Sequence, residues 1–386
     1  MRICIVGGKL QGLEAVYLSK KAGYESILID KNPDVPAASL ADETHIIDIT
    51  KNAKEAKKIY RTADVILPAT ENKATLRKIT KDAKGTPLIH DTNSYYISSS
   101  KIRSNKFFEK IGIPIPRLYP NADFPLIIKP SNSSGSQDVS IVWNKAQLQN
   151  TVGRISPSSN KVIQEFIKGP SVSIEIIAKE GEGVPLLCTM LEFDSNFDCK
   201  RVLAPLTLSS SIEEKIKKIG TKIADGLHLT GITDVEAIVL EGKPKVIEID
   251  ARLPSQTPTA VYHSSGVNML ELLVNLFTNN TLPKVVTSPK SAILYEHITV
   301  SKSCIQVGGE HLMASADNLS IHKGLFGSFE MITNYRSSRG KWVATLIVKE
   351  KSLEETWEKR NQVLDNIINE LDIKEFSDPY PEVYLK

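Results

Sequence analysis

The sequence predicts an α/β (α+β) chain, opening on a parallel doubly wound sheet and continuing through hairpins into a mixed sheet. Three observations carry this. Residues 1–90 alternate strand and helix patterns, which implies crossover connections and parallel strands. Residues 126–251 hold short apolar runs of period two between polar turns, as hairpin strands do. Beyond residue 290 further strands lead into Leu353–Leu371, whose Leu353, Trp357, Leu364, Ile367, Ile368 and Leu371 share one side of a helix.

Length and charge narrow the function. A chain of 386 residues suits two or three domains and a sizeable core. Its net charge of +3 comes from well-mixed acids and bases, so nothing points to a nucleic-acid partner. MRICIVGG reads as a short strand rather than a signal peptide, and no apolar run approaches membrane-spanning length. Cys4, Cys188, Cys199 and Cys304 form no C-x-x-C pair and read as reduced, mostly structural thiols, the expectation for a cytoplasmic protein.

Within residues 1–90, strands are expected at Ile3–Val6, Ser26–Ile29, His45–Asp48, Val65–Leu67 and Leu88–Ile89, with helices at Leu13–Ala22, Ala53–Arg61 and Ala74–Ala83. The turn Gly7-Gly8-Lys9-Leu10-Gln11-Gly12 invites a dinucleotide reading, with Asp30 as ribose acceptor. Lys9 replaces the middle glycine of G-x-G-x-x-G and hinders approach to a pyrophosphate, which argues against a nicotinamide dehydrogenase. Ligands of such sheets bind at the carboxyl ends of strands, where this loop, Asp30-Lys31, Asp48, Ile49-Thr50 and Glu71 lie. One use of them is a second adenine nucleotide at Lys9, Lys31, Ile49 and Thr50; the plain alternative is a loop of structural glycines. Glu71 and the Leu10-Gln11 turn are expected to bind an amine-bearing substrate, by its ammonium and carboxylate respectively. Starting the next helix is the other use of Glu71.

Lys101–Ile111 has helical spacing and ends at Gly112, followed by Pro114 and Pro116. The strand PLIIKP carries Lys129 into a small-residue loop whose N–H and hydroxyl groups can cradle phosphate, through Ser133, Ser134, Gly135 and Ser136. Such loops are also common without a ligand. Gln164-Glu165-Phe166-Ile167 forms a hinge before Gly169-Pro170, with backbone groups beside apolar walls that suit an adenine edge.

GITDVEAIVLEGKPKVIEIDAR, Gly231 to Arg252, reads as a hairpin turning at Glu241–Pro244. Glu248 and Asp250 share a face with Arg252, and counting back across the turn brings Glu236 near Glu248. Carboxylates on a half-buried sheet repel unless a cation lies between them. Hard oxygen donors with no His or Cys nearby suit Mg²⁺. A solvated hairpin face is the plain alternative.

A lysine opening a helix that ends GIPIP, the lysine of IIKPS with its Ser/Gly loop, the hinge QEFI and finally E…EIDAR together resemble the ATP-grasp family, over roughly residues 1–290. The resemblance implies an ATP-grasp fold. A Rossmann-like parallel-sheet domain would cover residues 1–90, and an ATP-grasp domain 91–290 with a small lid at about 118–175. A C-terminal mixed-sheet domain would cover 291–386. It implies ATP, with Lys101 and Lys129 on its phosphates and Gln164, Glu165, Phe166 and Ile167 at its adenine. It also implies two Mg²⁺ ions on Glu236, Glu248 and Asp250, with Arg252 near the transferred phosphate and Arg201 a further basic contact. Two positions depart: Asp250 stands where Asn is usual, and Ser171 where many members carry a ribose-binding Glu. The short stretch from Lys101 to Lys129 implies a trimmed lid. A closer, full-length resemblance through RICIVGGKLQGLEAVYLSKKAGYESILIDKNP, KPSNSSGSQDVSIV and IEIDARLPSQTPTAVYHSSG lies to one amino-acid ligase of the family. It implies that ATP phosphorylates one amino acid's carboxylate and a second amino acid's amine displaces the phosphate, giving an amide. Amino acids are then the partners. Tyr262, His263, Glu296 and His297 are expected to serve packing or the surface, with contact to the substrate as the alternative.

Overall fold

The structure, a computed structural model, describes residues 1–132, 138–154, 160–282, 284 and 287–382. The expected phosphate loop, Ser133 to Ser136, lies outside them. In chain order come β1 (Arg2–Val6), α1 (Leu10–Lys21), β2 (Glu25–Asp30), β3 (Glu43–Ile46), α2 (Ala53–Tyr60), β4 (Val65–Pro68) and α3 (Lys73–Asp82). Next are α4 (Thr92–Ser98), α5 (Lys101–Ile111), β5 (Leu126–Pro130), β6 (Ser140–Val142), α6 (Lys145–Arg154) and β7 (Lys161–Glu165). Then follow β8 (Ser171–Lys179), β9 (Glu182–Phe193), β10 (Cys199–Ala204), α7 (Ser210–Leu227), β11 (Gly231–Leu240) and β12 (Lys243–Asp250). Last are α8 (Thr257–Ser265), α9 (Met269–Asn279), β13 (Ala292–Ser301), β14 (Cys304–Val307), α10 (His311–Ala314), β15 (Ser320–Lys323), β16 (Glu330–Thr333), β17 (Lys341–Glu350), α11 (Leu353–Leu371) and β18 (Glu375–Ser377).

Two compact units result: Met1–His90 with Lys200–Pro205 and Leu253–Pro379, and Asp91–Cys199 with Leu206–Arg252 and Tyr380–Lys386. Residues 200–205 and 253–290, expected in a single domain over 91–290, thus associate with the N-terminal residues. The cause is pairing and packing: Arg201 of β10 lies opposite Glu296 of β13, and α8 and α9 pack on α1.

In the first unit β3-β2-β1-β4 form the expected parallel sheet. Ile3, Cys4 and Ile5 are wholly buried at its centre. Strand β3 ends earlier than the sequence suggests because Asp48 turns the chain, its carboxylate accepting from the Thr50 N–H and hydroxyl. Leu88 makes only a single bridge, to Ile66. A second sheet in this unit runs β10-β13-β17-β16-β15, with β14 on β13 and β18 on β14. All four cysteines are free thiols. No described helix is long and apolar enough to cross a membrane.

The second unit holds a three-stranded sheet, β6-β5-β7, and the antiparallel strands β12-β11-β8-β9. Period-two alternation divides the latter into two faces. Val172, Ile174 and Ile176 of β8, Val235, Ala237 and Val239 of β11, and Val246 and Ile249 of β12 form a core with Ile216, Ile223 and Ala224 of α7 and Phe108 of α5. Each large apolar side chain so buried contributes about 1.5–3 kcal/mol. The opposite face presents Ser171, Ser173, Glu175, Asp234, Glu236, Glu248 and Asp250.

The hairpin that carries four of these has a two-residue turn, Glu241-Gly242, with φ of 48° and 71°. Leu240 pairs with Lys243, the tight primed turn that matches strand twist. Glu236 pairs with Glu248 but Ala237 with Val246, so Ile247 is an extra residue, a β-bulge. A straight ladder would set Glu236 against Ile247 and send Glu248 and Asp250 into the core.

Candidate active site

Two rungs of polar residues cross the second unit's sheet. On one, Glu248, Glu236 and Ser173 lie side by side; on the next, Asp250, Asp234 and Glu175. Glu175 and Asp234 were not foreseen. The signal was present, as single acids at period two in SVSIEIIA and TDVEAIV, the same pattern that singled out Glu248 and Asp250. Burial pushes the Asp234 carboxyl well above the usual carboxylate range, and Glu175 pushes it further. Burial does the same to Glu236, reinforced by Asp234 and Glu248.

Three cations face this acid patch. Ser100 caps α5 by accepting from the Arg103 N–H, and its hydroxyl meets that of Ser131 at 2.9 Å. That tie fixes Lys101 at the helix start, with its backbone N–H on the Ser131 carbonyl at 2.8 Å. Its Nζ then lies 2.6 Å from Oε1 of Glu248. Lys129, near the end of β5, is half-buried. Burial lowers its ammonium pKa, with Glu248 opposing that shift and Lys101 adding to it. Arg252 turns back onto Asp250 at 2.5 Å.

Among the described residues no three His, Cys, Asp or Glu side chains converge closely enough to hold a metal ion as they stand. The reason is visible: Glu248 is turned to Lys101 and Asp250 to Arg252. The donor set itself is all carboxylate oxygen, which fits Mg²⁺ in kind, and closing on an ion requires those pairs to exchange.

The hinge is braced by residues that sequence reading missed. The Glu165 carboxylate accepts from the Arg117 N–H and Nε and from Nζ of Lys245. Burial alone would raise this carboxyl, but Lys245 and Arg117 prevail and hold it at about 2. The Glu165 side chain therefore ties the hinge down rather than facing an adenine. Gln164 and Ile167 are buried, and the Phe166 N–H donates to the Pro125 carbonyl.

In the first unit the glycine turn is fixed by packing. A Cβ on Gly7, whose φ is +111°, would lie 2.3 Å from the Ala69 carbonyl oxygen, and one on Gly12 would lie 2.1 Å from the Gly7 carbonyl oxygen. Asp30, considered as a ribose acceptor, accepts instead from the N–H groups of Gly8 and Asn32 at 2.8 and 2.9 Å. Lys9, Lys31 and Thr50 are exposed, whereas the Ile49 side chain is part of the unit's core. Leu10 and Gln11 open α1. Glu71 is exposed beside Asn72, and it is Asn72 that caps α3 by accepting from the Thr75 N–H.

Arg201 corrects an expectation. It is wholly buried, its Nε 2.6 Å from Glu296 and its NH2 2.7 Å from Asp378, with the guanidinium 4.7 Å from the Trp357 ring centre. Arg360 grips the same Glu296 at 3.0 Å, and Lys200 holds Asp378. Arg201 is thus committed to carboxylates of its own unit, not offered to a phosphate. His263 and His297 are buried in packing positions, against the Tyr17 hydroxyl at 2.6 Å and the Thr345 hydroxyl at 2.9 Å, and Tyr262 meets His263 edge-on.

Known proteins match both fold and sequence. The ATP-grasp domain model matches residues 98–256. Among curated relatives, the 3-methyl-D-ornithine–L-lysine ligase of Methanosarcina acetivorans is 37% identical over 320 residues, 82% of this chain and 85% of that protein. The enzyme of the same name from Methanosarcina mazei is 36% identical, over 82% and 83%. Among solved structures, an ADP complex of N5-carboxyaminoimidazole ribonucleotide synthetase superposes with a TM-score of 0.72 at 14% identity, covering 94% of this chain and 96% of that one. The L-amino acid ligase of Bacillus licheniformis does so with a TM-score of 0.69 at 16% identity, covering 95% and 97%. These structures speak to fold alone, and the fold and domain match define an ATP-grasp protein. Within that class the chain belongs to the family of the 3-methyl-D-ornithine–L-lysine ligases.

Proposed function

We propose that this protein joins the carboxylate of 3-methyl-D-ornithine to the ε-amine of L-lysine, consuming ATP and releasing ADP and phosphate, in pyrrolysine biosynthesis. The observation that carries the reading is one sheet face on which Lys101 and Lys129 meet two rungs of carboxylates, in a chain 37% identical to a ligase of that name. A carboxylate is a poor electrophile. Transfer of the γ-phosphoryl group to it, with loss of ADP, creates a leaving group; the amine then attacks the acyl carbon, phosphate departs and the amine proton is lost. The first step brings two anions together, so Lys101, Lys129 and Arg252 act by offsetting their charge. Mg²⁺, two ions in this reading, supplies further neutralisation when bound at Glu236, Glu248 and Asp250. The backbone of Gln164 to Ile167 takes the adenine, and residues 118–175 act as the lid that excludes water from the acyl phosphate. Leu10, Gln11 and Glu71 hold an amine-bearing amino-acid substrate. Lys9, Lys31, Ile49 and Thr50 hold a second nucleotide, Ile49 through its backbone.

A coupled ADP-release assay over a panel of D- and L-diamino acids tests the reading. It expects release only when a D-ornithine-type acid and lysine are both present. Release independent of any amine would overturn it. Glu71→Gln should raise the KM for one amino acid and leave that for ATP near wild type, since loss of one member of a charged pair desolvated on binding costs about 2–5 kcal/mol.

A further inference from the structure

We propose that copies of this protein dock on one another by charge: the basic outer face of α2 and α3 on one copy receives the acidic outer stripe of α11 on another. All three helices belong to the first unit.

Helices α2 and α3 lie side by side. Ala56, Ile59 and Tyr60 of α2 and Ile79 of α3 enter one apolar core, and Lys57 of α2 and Lys78 of α3 both pair with Asp82, the former at 3.0 Å. A helix turns about 100° per residue, so the side away from that core is defined by the sequence. There α2 presents Lys54, Lys58 and, at its C-cap, Arg61, and α3 presents Lys73, Arg77 and Lys81. All six are exposed, and none is in an ion pair among the described residues.

Helix α11 is the complement. Its Val363, Leu364 and Ile367 are buried, and it packs on β13 and β17. Glu354, Glu358 and Asp365 fall on the side directly away from that core, all exposed and none in an ion pair among the described residues. The helix has two cations, and neither is exposed: Arg360 is buried on Glu296, and Lys359 is half-buried.

A surface that serves solvation alone gains from interspersed signs. Like charges four residues apart on a helix repel, and opposite charges there attract. Lys54 with Lys58, Lys73 with Arg77, Arg77 with Lys81, and Glu354 with Glu358 are all like pairs. The net charge of +3 hides this segregation, because the two signs are gathered on different helices.

The faces match in spacing as well as sign. Charges four residues apart stand about 6 Å apart along the axis, on α3 and α11 alike. Packed helices lie about 8–10 Å apart, so the two basic stripes border a furrow in which one acidic helix has cations on both sides. Each copy carries both faces and so can give and receive the contact. Exposed ion pairs orient an encounter more than they tighten it, which makes the association weak and sensitive to salt.

Sedimentation of the full chain, loaded at about 100 μM to suit a weak contact, tests this. In salt of about 0.01 M, where screening acts over about 30 Å, the mean mass should exceed the 42.6 kDa of one chain, and in about 1 M it should return to it. Arg77→Glu with Lys81→Glu, or Glu354→Lys with Glu358→Lys, should each weaken association in low salt by about tenfold or more, with the unfolding midpoint held. Mixing the two variants should bring association back, since each reversed face then meets its opposite. A wild type that stays at the mass of one chain in low salt overturns the proposal. So does a reversed variant that associates as wild type does, or a mixture no heavier than its parts. If a reversed variant fails to fold, Arg77→Gln with Lys81→Gln takes its place, and undiminished association there counts against the docking. Wild type that stays at one chain's mass yet binds poly-L-glutamate would hand the basic face to a different acidic protein and overturn self-docking.

Discussion

Two clusters of buried charge in this molecule are built on opposite terms. In the first unit, Arg201 and Arg360 converge on Glu296, while Lys200, Arg201 and Arg360 close on Asp378. In the second, Glu175, Asp234, Glu236, Glu248 and Asp250 outnumber the Lys101, Lys129 and Arg252 that face them. The first cluster joins strands to α11 and the C-terminal segment by ion pairs whose members are drawn from the chain itself. Among the described residues the second holds more carboxyl groups than cations, and burial, reinforced by neighbouring carboxylates, holds Asp234 and Glu236 well above their usual range. Charge alone does not mark a site; carboxyl groups gathered on one face do.

Substitutions can break or sharpen that contrast. Glu248→Gln should cut turnover by about 10³-fold, with little change in unfolding midpoint, because it removes charge from the reacting face. Comparable activity in a steady-state assay would dissolve the distinction. Glu296→Gln should act the other way, costing about 3–5 kcal/mol in denaturant unfolding by leaving Arg201 and Arg360 underpaired, while folded protein keeps its affinity for ATP. Lys129→Met should weaken ATP binding by roughly 30-fold or more in calorimetry, and an unchanged affinity would remove Lys129 from the site. A milder effect is expected of Asp250→Asn, which restores the residue usual in the family. It should keep activity within about tenfold, with a shifted Mg²⁺ optimum. The smallest effect is on acid stability. Glu165 falls from 4.5 to about 2 on folding, so its contribution is present above pH 4.5 and is lost as pH falls toward 2. Glu165→Gln should flatten the stability-against-pH curve in that window, and an unchanged slope would mean that Arg117 and Lys245 do not hold it.

Local patterns were legible in the sequence. The alternation in residues 1–90 gave the parallel sheet, helix Leu353–Leu371 begins and ends where its apolar stripe does, and Glu236 faces Glu248 as the hairpin implied. What failed to show were partnerships between distant residues. Arg201 looked like a phosphate ligand because its true partners, Glu296 and Asp378, lie 95 and 177 residues away. That Glu175 lies opposite Asp234 depends on the pairing of β8 with β11, a register that no local pattern specifies. The side-chain partner of Glu165 was equally out of reach, since Lys245 is 80 residues distant.

The bulge at Ile247 makes the parity of the hairpin part of the chemistry. Side chains alternate strictly, so pairing Ile247 with Glu236, with no bulge, would exchange inside for outside for both Glu248 and Asp250 at once. Conservative replacement of either acid is a graded injury. Straightening the ladder with Ile247 retained is not: it would turn both carboxylates toward the apolar core beneath the sheet and Ile247 and Ile249 toward the polar face. In this hairpin the register is under tighter constraint than the identity of several of its residues.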